Sequence, residues 1–152
     1  MRDTPVDPAT IDTIAKTCIA VRLRRLNRVV THYYDAALRP LGLKVSQLNI
    51  LVVTAKLGVA RPAQVCAKLD LGVSTLSRNV DRMRAHGWLE GVPDADARTQ
   101  PFRLTPRGRR LIEQAVPAWA DAQRQATALL GAGGIALLDA VAAKRGGPQA
   151  TR

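Results

Sequence analysis

Hydroxyl and guanidinium side chains recur at helical spacing in the segment 73–85. At 100° per residue, one side of this segment collects Ser74, Thr75, Arg78, Asp81 and Arg82, with Ser77 at its flank. The opposite side collects Val73, Leu76, Val80 and Met83. Such polar donors bind base edges and phosphate groups, so the pattern predicts a helix that faces a nucleic acid. The alternative is an ordinary amphipathic surface helix whose polar side faces water, and if this segment were considered alone, that interpretation would be favoured.

The neighbouring segments predict a compact unit that presents this helix. Pro62 opens a short helix, 62–69, and the three-residue link after it contains Gly72, as the corner of a helix-turn-helix commonly does. Beyond Gly87, residues 88–92 and 100–105 are strand-like and bracket the polar loop 93–98. Two strands are too few to be stable alone, so we expect this hairpin to lean on the helices.

Long helical patterns flank that unit on both sides. Apolar residues keep helical spacing through 7–38, which predicts one long helix, and again through 46–56. The spacing returns in 106–131 and, after a glycine-rich break, in 135–144. The outer helices carry more apolar surface than the small unit between them can cover, which predicts that they pack against a second copy of the chain.

Three segments in fixed order carry a resemblance to a known family. They are 74–89, with the sequence STLSRNVDRMRAHGWL, then Asp96 and Arg98 in the polar loop, then Leu104 to Gly108, an L-T-x-x-G sequence. In this order and spacing, the chain resembles the MarR family over roughly residues 14–130. It departs from the usual pattern at Gly91, commonly an arginine, and at Ala97, where a second cation is frequent.

The resemblance implies a mostly α fold: a winged helix-turn-helix with a small β-hairpin wing and with N- and C-terminal dimerisation helices. In those terms, 1–40 is the N-terminal helix of the dimerisation region and 41–108 is the DNA-binding domain. Residues 109–144 form the C-terminal dimerisation helices, and 145–152 form a disordered tail. Members are homodimeric transcription regulators, usually repressors, that bind a near-palindromic operator in double-stranded DNA.

The same resemblance implies roles for Asp96 and Arg98 in the polar loop. Arg98 is similar to the wing-tip arginine that enters the minor groove, where a narrow groove concentrates negative potential. Asp96 is similar to the carboxylate that holds the hairpin and that arginine in place. A surface salt bridge of little energetic worth is the alternative interpretation of this pair.

The roles of the polar residues on helix 73–85, the recognition helix of the predicted helix-turn-helix, follow from side-chain chemistry. We assign base reading to Arg78 and a phosphate contact to Arg82. Ser74 and Thr75 lie at the helix start, where free amides and hydroxyls bind a phosphate or a base edge. Ser77 lies at the flank of the same face and is a further contact candidate.

The sequence leaves the controlling signal open. Family members commonly respond to small phenolic or amphipathic molecules, and some respond to oxidants through cysteine. His32 and Tyr33 are candidates to line a ligand cleft, although such residues more often pack in a core. Cys18 is the redox candidate, because the nearby cations Lys16 and Arg22 favour a reactive thiol, whereas free cysteines are more often simply buried.

The composition of the chain limits which other classes of protein are compatible with it. The chain has 23 Lys and Arg against 12 Asp and Glu, and its formal net charge of +11 attracts polyanions in general. A nonspecific architectural nucleic-acid-binding protein is therefore a further alternative, although an aromatic content of 3% disfavours stacking on single strands. Neither a nucleophile elbow nor a phosphate-binding glycine loop occurs, so we expect no enzyme.

Metal, cofactor and membrane are not expected either. The cysteines and histidines at 18, 32, 66 and 86 match no metal-ligand spacing. The amino terminus lacks the apolar core of a signal peptide, and no apolar run approaches the roughly 20 residues needed to cross a bilayer. We therefore expect a cytoplasmic protein.

Overall fold

The computed structural model describes residues 6–95 and 99–145 and is mostly helical with a small antiparallel sheet. Its helices are α1 (Pro8–Thr17), α2 (Ile19–Leu38), α3 (Val45–Leu57), α4 (Pro62–Leu69), α5 (Val73–Ala85) and α6 (Pro106–Arg145), and its strands are β1 (Val59–Ala60), β2 (Leu89–Gly91) and β3 (Phe102–Leu104). A 3-10 turn, Arg39–Leu41, follows α2. Helices α4 and α5 begin and end at the predicted residues.

The sheet has one strand more than the sequence predicted. Its order is β1-β3-β2, so the predicted hairpin pairs β2 with β3, and β1 adds to the other edge of β3. Val59 lies opposite Arg103, and Ala60 lies opposite Phe102. Because β1 is only two residues long, it has no alternation that sequence analysis can detect. The third strand supports the hairpin on the helical layer.

The core lies where α3, α4, α5 and the start of α6 meet the sheet. Its largest fully buried side chains include Leu38, Ile50, Leu51, Leu76, Met83 and Phe102. Of the predicted apolar stripe of α5, Leu76 and Met83 are buried and Val80 is half-buried, whereas Val73 is 72% exposed. Val73 is the first residue of α5 and lines a groove between that helix and the sheet.

The single N-terminal helix predicted for 7–38 is two helices. Cys18 has non-helical backbone angles (φ −58°, ψ 111°) and separates α1 from α2. The hydroxyls of Thr13 and Thr17 donate to the carbonyls of Ala9 and Thr13, at 2.8 and 2.7 Å. Such bonds compete with the helical ladder and favour a bend. Helix α1 buries none of its residues, so no core contact holds the two segments in line.

The C-terminal pattern forms two helical parts that meet at Gly131, where φ is 64° and ψ is 175°. The predicted glycine-rich break is therefore narrower than expected. By length and composition alone, Pro106–Lys144 is apolar enough to cross a bilayer, which the sequence analysis did not expect. A helix that packs against protein has the same composition, and the backbone break at Gly131 interrupts this one.

Many apolar side chains of the outer helices remain exposed in the single chain. Helix α2 packs along α6, but each keeps an uncovered apolar side. On α1 and α2 these residues include Ile11, Ile14, Ile19, Val21 and Leu23, and on α6 they include Leu129, Leu137, Leu138 and Val141. So much exposed apolar surface is typical of an interface.

Candidate nucleic-acid interface

Helix α5 presents its predicted polar residues to solvent. Gly72 has an extended backbone (φ −71°, ψ 146°), and its carbonyl accepts from the amides of Thr75 and Leu76 at 3.1 and 3.0 Å. Burial of Leu76 and Met83 anchors the inner side of the helix. The exposed polar residues are Ser74, Thr75, Ser77, Arg78, Asp81 and Arg82. The structure therefore places all the predicted contact residues of this helix on one accessible surface.

Backbone bonds orient part of that surface without neutralising it. The Nε of Arg78 donates to the Ser74 carbonyl at 3.2 Å, and the Nδ2 of Asn79 donates to the Thr75 carbonyl at 2.9 Å. The bond from Arg78 leaves the four N–H groups of its terminal nitrogens for other partners. Within residues 6–95 and 99–145, no carboxylate pairs with Arg78 or Arg82. Both guanidinium groups are exposed, and neither forms an ion pair with a described acid, although Asp81 lies on the same surface.

The two strands of the hairpin are joined by a cross-strand ion pair. Glu90 on β2 lies opposite Arg103 on β3, and the Nε of Arg103 is 2.6 Å from Oε1 of Glu90. Pro101, just before β3, lacks an amide, but its carbonyl accepts from the Val92 amide at 2.8 Å. The missing donor thus falls outside the paired residues of the sheet, where proline is tolerated.

A second cluster joins the hairpin to the helix-turn-helix. Oδ2 of Asp94 accepts from Nη2 of Arg61 at 3.1 Å and from the Thr99 hydroxyl at 2.9 Å. Arg61 immediately precedes α4, so this bond links the loop to the first helix of the pair. Asp96 and Arg98 lie outside the described residues, and their assigned roles stay predictions.

A cation from α5 lies beside Gly91, the position at which the family commonly has arginine. A Cβ built on Gly91 would stand 3.2 Å from Nη2 of Arg84. Arg84 is exposed and lies in the last turn of α5. The guanidinium of Arg84 therefore lies in contact distance of position 91. Sequence analysis missed this residue, although its place on the recognition helix was a usable signal.

The L-T-x-x-G sequence forms the joint between the hairpin and α6. The Thr105 hydroxyl donates to the Gly87 carbonyl at 2.7 Å and accepts from the Gly108 amide at 3.0 Å, so it caps α6. A Cβ on Gly108 would stand 2.2 Å from the Trp88 carbonyl oxygen, a distance that real Cβ atoms essentially never show. Thr105 and Gly108 therefore set how the hairpin sits on α6.

The predicted ligand residues lie on α2. His32 is exposed and Tyr33 is half-buried. The hydroxyl of the next residue, Tyr34, donates to Oε1 of Gln123 on α6, and burial raises the pKa of Tyr34 above its usual range. A separate apolar cavity of about 350 Å³ lies between α3 and α6, lined by Leu48, Asn49, Val52, Ile112, Ala115, Val116 and Trp119. Neither His32 nor Tyr33 lines that cavity.

Both cysteines are free thiols and half-buried. Cys18 lies at the break between α1 and α2, and Cys66 lies inside α4. The Arg22 side chain near Cys18 donates from Nη2 to the Lys16 carbonyl at 2.8 Å. Across the described ranges, no three His, Cys, Asp or Glu side chains converge to hold a metal ion.

A helix-turn-helix followed by a two-stranded wing defines the class: a winged helix-turn-helix protein. The MarR family profile matches residues 41–98. The chain is similar to the multiple antibiotic resistance protein MarR of Salmonella typhimurium, with 28% identity over 92 residues. That match covers 60% of this chain and 61% of the relative, so the chain spans less than two thirds of its length.

Solved structures extend the match over more of the chain. The transcriptional regulator MosR of Mycobacterium tuberculosis, solved in complex with DNA, is 32% identical, with a TM-score of 0.70, covering 85% of this chain and 98% of that one. BpsR of Bordetella bronchiseptica is 20% identical, with a TM-score of 0.75, covering 88% of this chain and 96% of that one, and supports the fold alone. The chain belongs to the MarR family.

Proposed function

We propose that this chain is a sequence-specific double-stranded DNA-binding transcription regulator, a homodimeric repressor that a small phenolic or amphipathic effector releases. The observation that carries the proposal is the exposed surface of α5, where Arg78 and Arg82 stand beside three hydroxyls without a described acidic partner. The solved DNA complex of MosR supports it by similarity.

On DNA, α5 enters the major groove. Its first turn carries Ser74 and Thr75 to a phosphate or base edge, Arg78 reads a base and Arg82 binds a phosphate further along. Two copies related by a twofold axis place their α5 helices roughly 34 Å apart, about one turn of B-form DNA. A near-palindromic operator follows from that symmetry. The wing, with Asp96 and Arg98, reaches the flanking minor groove.

The homodimer is supported by the uncovered apolar residues of α1, α2 and α6. A monomer would leave this surface in water, whereas a second copy can bury the same patch on both chains. In this arrangement the outer helices hold the two DNA-binding units at a fixed spacing. Burial of α6 between copies also accounts for its apolar composition and fits a cytoplasmic protein rather than a membrane protein.

The apolar cavity between α3 and α6 supports control by a small amphipathic molecule. Its volume of about 350 Å³ is in the range of ligand pockets. A ligand there contacts the DNA-binding unit through α3 and the outer helices through α6, so it can change the angle between them. For BpsR, DNA binding is regulated by 6-hydroxynicotinic acid. His32 and Tyr33 remain candidates for a second part of such a cleft.

The test is a selection of duplex DNA from a random pool, followed by titration at two salt concentrations. A palindromic duplex, an unrelated duplex and a single strand are compared by fluorescence anisotropy, and sedimentation gives the stoichiometry. We expect a selected palindrome bound by two chains, with a preference that survives added salt. Equal affinity for all three probes, lost in parallel with salt, would instead indicate a nonspecific architectural protein.

The control signal is tested on the same complex. Phenolic carboxylates are titrated against parent protein and a Trp119→Ala variant, which opens the cavity wall; release of the parent alone supports the proposed effector site. A Cys18→Ser variant is compared under hydrogen peroxide. Release by peroxide that depends on Cys18, with no response to phenolic compounds, would identify an oxidant-sensing repressor instead.

A further inference from the structure

A second cavity, of about 490 Å³, lies between the turn after α2, the residues that follow α5 and the first turns of α6. Its volume is in the range of ligand pockets. Residues that line it include Leu41, His86, Trp88, Arg107, Arg110 and Gln114. It shares no lining residue with the apolar cavity between α3 and α6, which has no charged side chain in its lining. The two cavities are therefore separate and differ in chemistry.

Helix α6 presents two cations to this second cavity. Arg107, Arg110, Leu111 and Gln114 are spaced by three, four and seven residues from the first, so they lie on one face of the helix. Leu111 is buried and gives the cavity an apolar floor, whereas both arginines are exposed. Nη1 of Arg107 would stand 4.0 Å from a Cβ built on Gly87, so this side chain reaches over the end of α5.

The positive charge of the cavity has no acidic counterpart in its lining. Every lining residue in the described ranges is neutral or basic, and neither Arg107 nor Arg110 forms an ion pair with a described acid. Each guanidinium can bind a carboxylate or a phosphate through two N–H groups. Two such groups on one wall favour an anion between them.

Flat rings form another wall of the cavity. The imidazole of His86 stacks on the indole of Trp88, with ring centroids 4.5 Å apart and planes 14° from parallel. Trp88 is buried and fixes the inner ring, whereas His86 is exposed. One face of the imidazole lies against the indole, which leaves the outer face for a planar group.

We propose that this cavity binds a planar anion, an aromatic ring that carries a carboxylate or a phosphate. The anionic group lies between Arg107 and Arg110, and the ring lies over His86, with the side chain of Leu111 below it. The inference does not depend on the proposed function, because the cavity can be filled without DNA.

The chain carries its own reporters for the test. It has two tryptophans, of which Trp88 lines this cavity and Trp119 lines the apolar one. In a Trp119→Phe variant, any tryptophan fluorescence comes from Trp88. This variant is titrated with benzoate, with phenyl phosphate and with cyclohexanecarboxylate, which has the charge of benzoate but no flat ring. Equilibrium dialysis of the same compounds detects binding that leaves the fluorescence unchanged.

Arginine variants in the Trp119→Phe background locate the binding site. Arg107→Gln and Arg110→Gln each remove one charge from the cavity. Arg109→Gln is the matched control, since Arg109 is an exposed arginine of the same helical turn that lines a different cavity. Thermal unfolding checks that every variant is folded, which we expect because the three arginines are exposed.

We expect a saturable signal from Trp88 with benzoate or phenyl phosphate, and the compound that binds more tightly identifies the preferred anionic group. Loss of either cavity arginine should weaken this binding about 10-fold or more, whereas Arg109→Gln should leave it unchanged. Cyclohexanecarboxylate should bind about 2–10-fold more weakly than benzoate. Absence of binding by both methods, or equal binding after Arg107 and Arg110 are both replaced, or equal binding of cyclohexanecarboxylate would overturn the inference. Each of these results would leave the proposed function intact.

Discussion

Replacing Gly108 by alanine should destabilise the joint between the wing and α6. The new Cβ would stand 2.2 Å from the Trp88 carbonyl oxygen, about 1 Å inside the closest ordinary contact. The Trp88 oxygen belongs to the backbone and the backbone fixes the position of a Cβ, so α6 and the residue before β2 must move apart. Overpacking costs typically about 1–3 kcal/mol, and this rigid contact belongs at the upper end. Alanine recovers up to about 1 kcal/mol of helix propensity, which leaves a net loss of about 2 kcal/mol.

Urea unfolding gives the free energy directly, and thermal unfolding should show a midpoint lowered by about 4–8 °C. Gly133→Ala is the matched control: it lies in the second helical part of α6, after Gly131, its Cβ meets no atom within 4 Å, and it should stabilise by about 0.5–1 kcal/mol. The reasoning would be refuted if Gly108→Ala were as stable as the parent while Gly133→Ala behaved as expected.

Three further predictions concern the cap, the DNA contacts and a buried hydroxyl. Thr105→Val keeps the side-chain shape but removes the cap of α6 and the bond to the Gly87 carbonyl, and should cost about 1–2 kcal/mol in urea unfolding; an unchanged midpoint would contradict the assignment. Arg78→Ala should lower preference for the operator over unrelated duplex by about 10–100-fold. Arg98→Ala should weaken all duplexes similarly and reduce the salt slope by about 2, one for each wing of the dimer. Mobility shifts that match the parent for both variants would show that the groove assignments are wrong. Burial raises the pKa of Tyr34, so the stability that its protonated phenol contributes is complete below the ordinary tyrosine pKa of 10 and is lost as pH rises through the raised pKa. The Tyr34→Phe variant should lack this loss of stability at alkaline pH. The same pH dependence of unfolding in parent and variant would contradict the prediction.

Local signals in the chain were sufficient for the helix-turn-helix. Pro62 at a helix start and Gly72 before the next helix predicted the bounds of α4 and α5, because each signal acts within a few residues. The polar surface of α5 followed from its 3.6-residue periodicity alone. Periodicity failed at Cys18, because regular apolar spacing continues across a break that is set by hydroxyl-to-backbone bonds and by the absence of burial in α1.

Apolar periodicity also could not predict how exposed a residue at the end of a helix is. Val73 has the same helical phase as the buried residues of α5, yet it is 72% exposed at the start of the helix. Phase gives the direction in which a side chain points, whereas burial depends on whether another element lies there. The family resemblance supplied the roles of Asp96 and Arg98, which lie outside the described residues.

The amino-acid sequence was enough to predict the winged helix-turn-helix class, helix α5 and the residues that give α5 its polar surface. Which distant groups meet became visible only in the folded chain: Arg61 with Asp94, Arg84 beside Gly91, and Gly108 beneath the Trp88 carbonyl. This difference arises because helix formation and amphipathic spacing depend on neighbours along the chain. Contacts between distant residues exist only after the core has closed and fixed the positions of several elements at once.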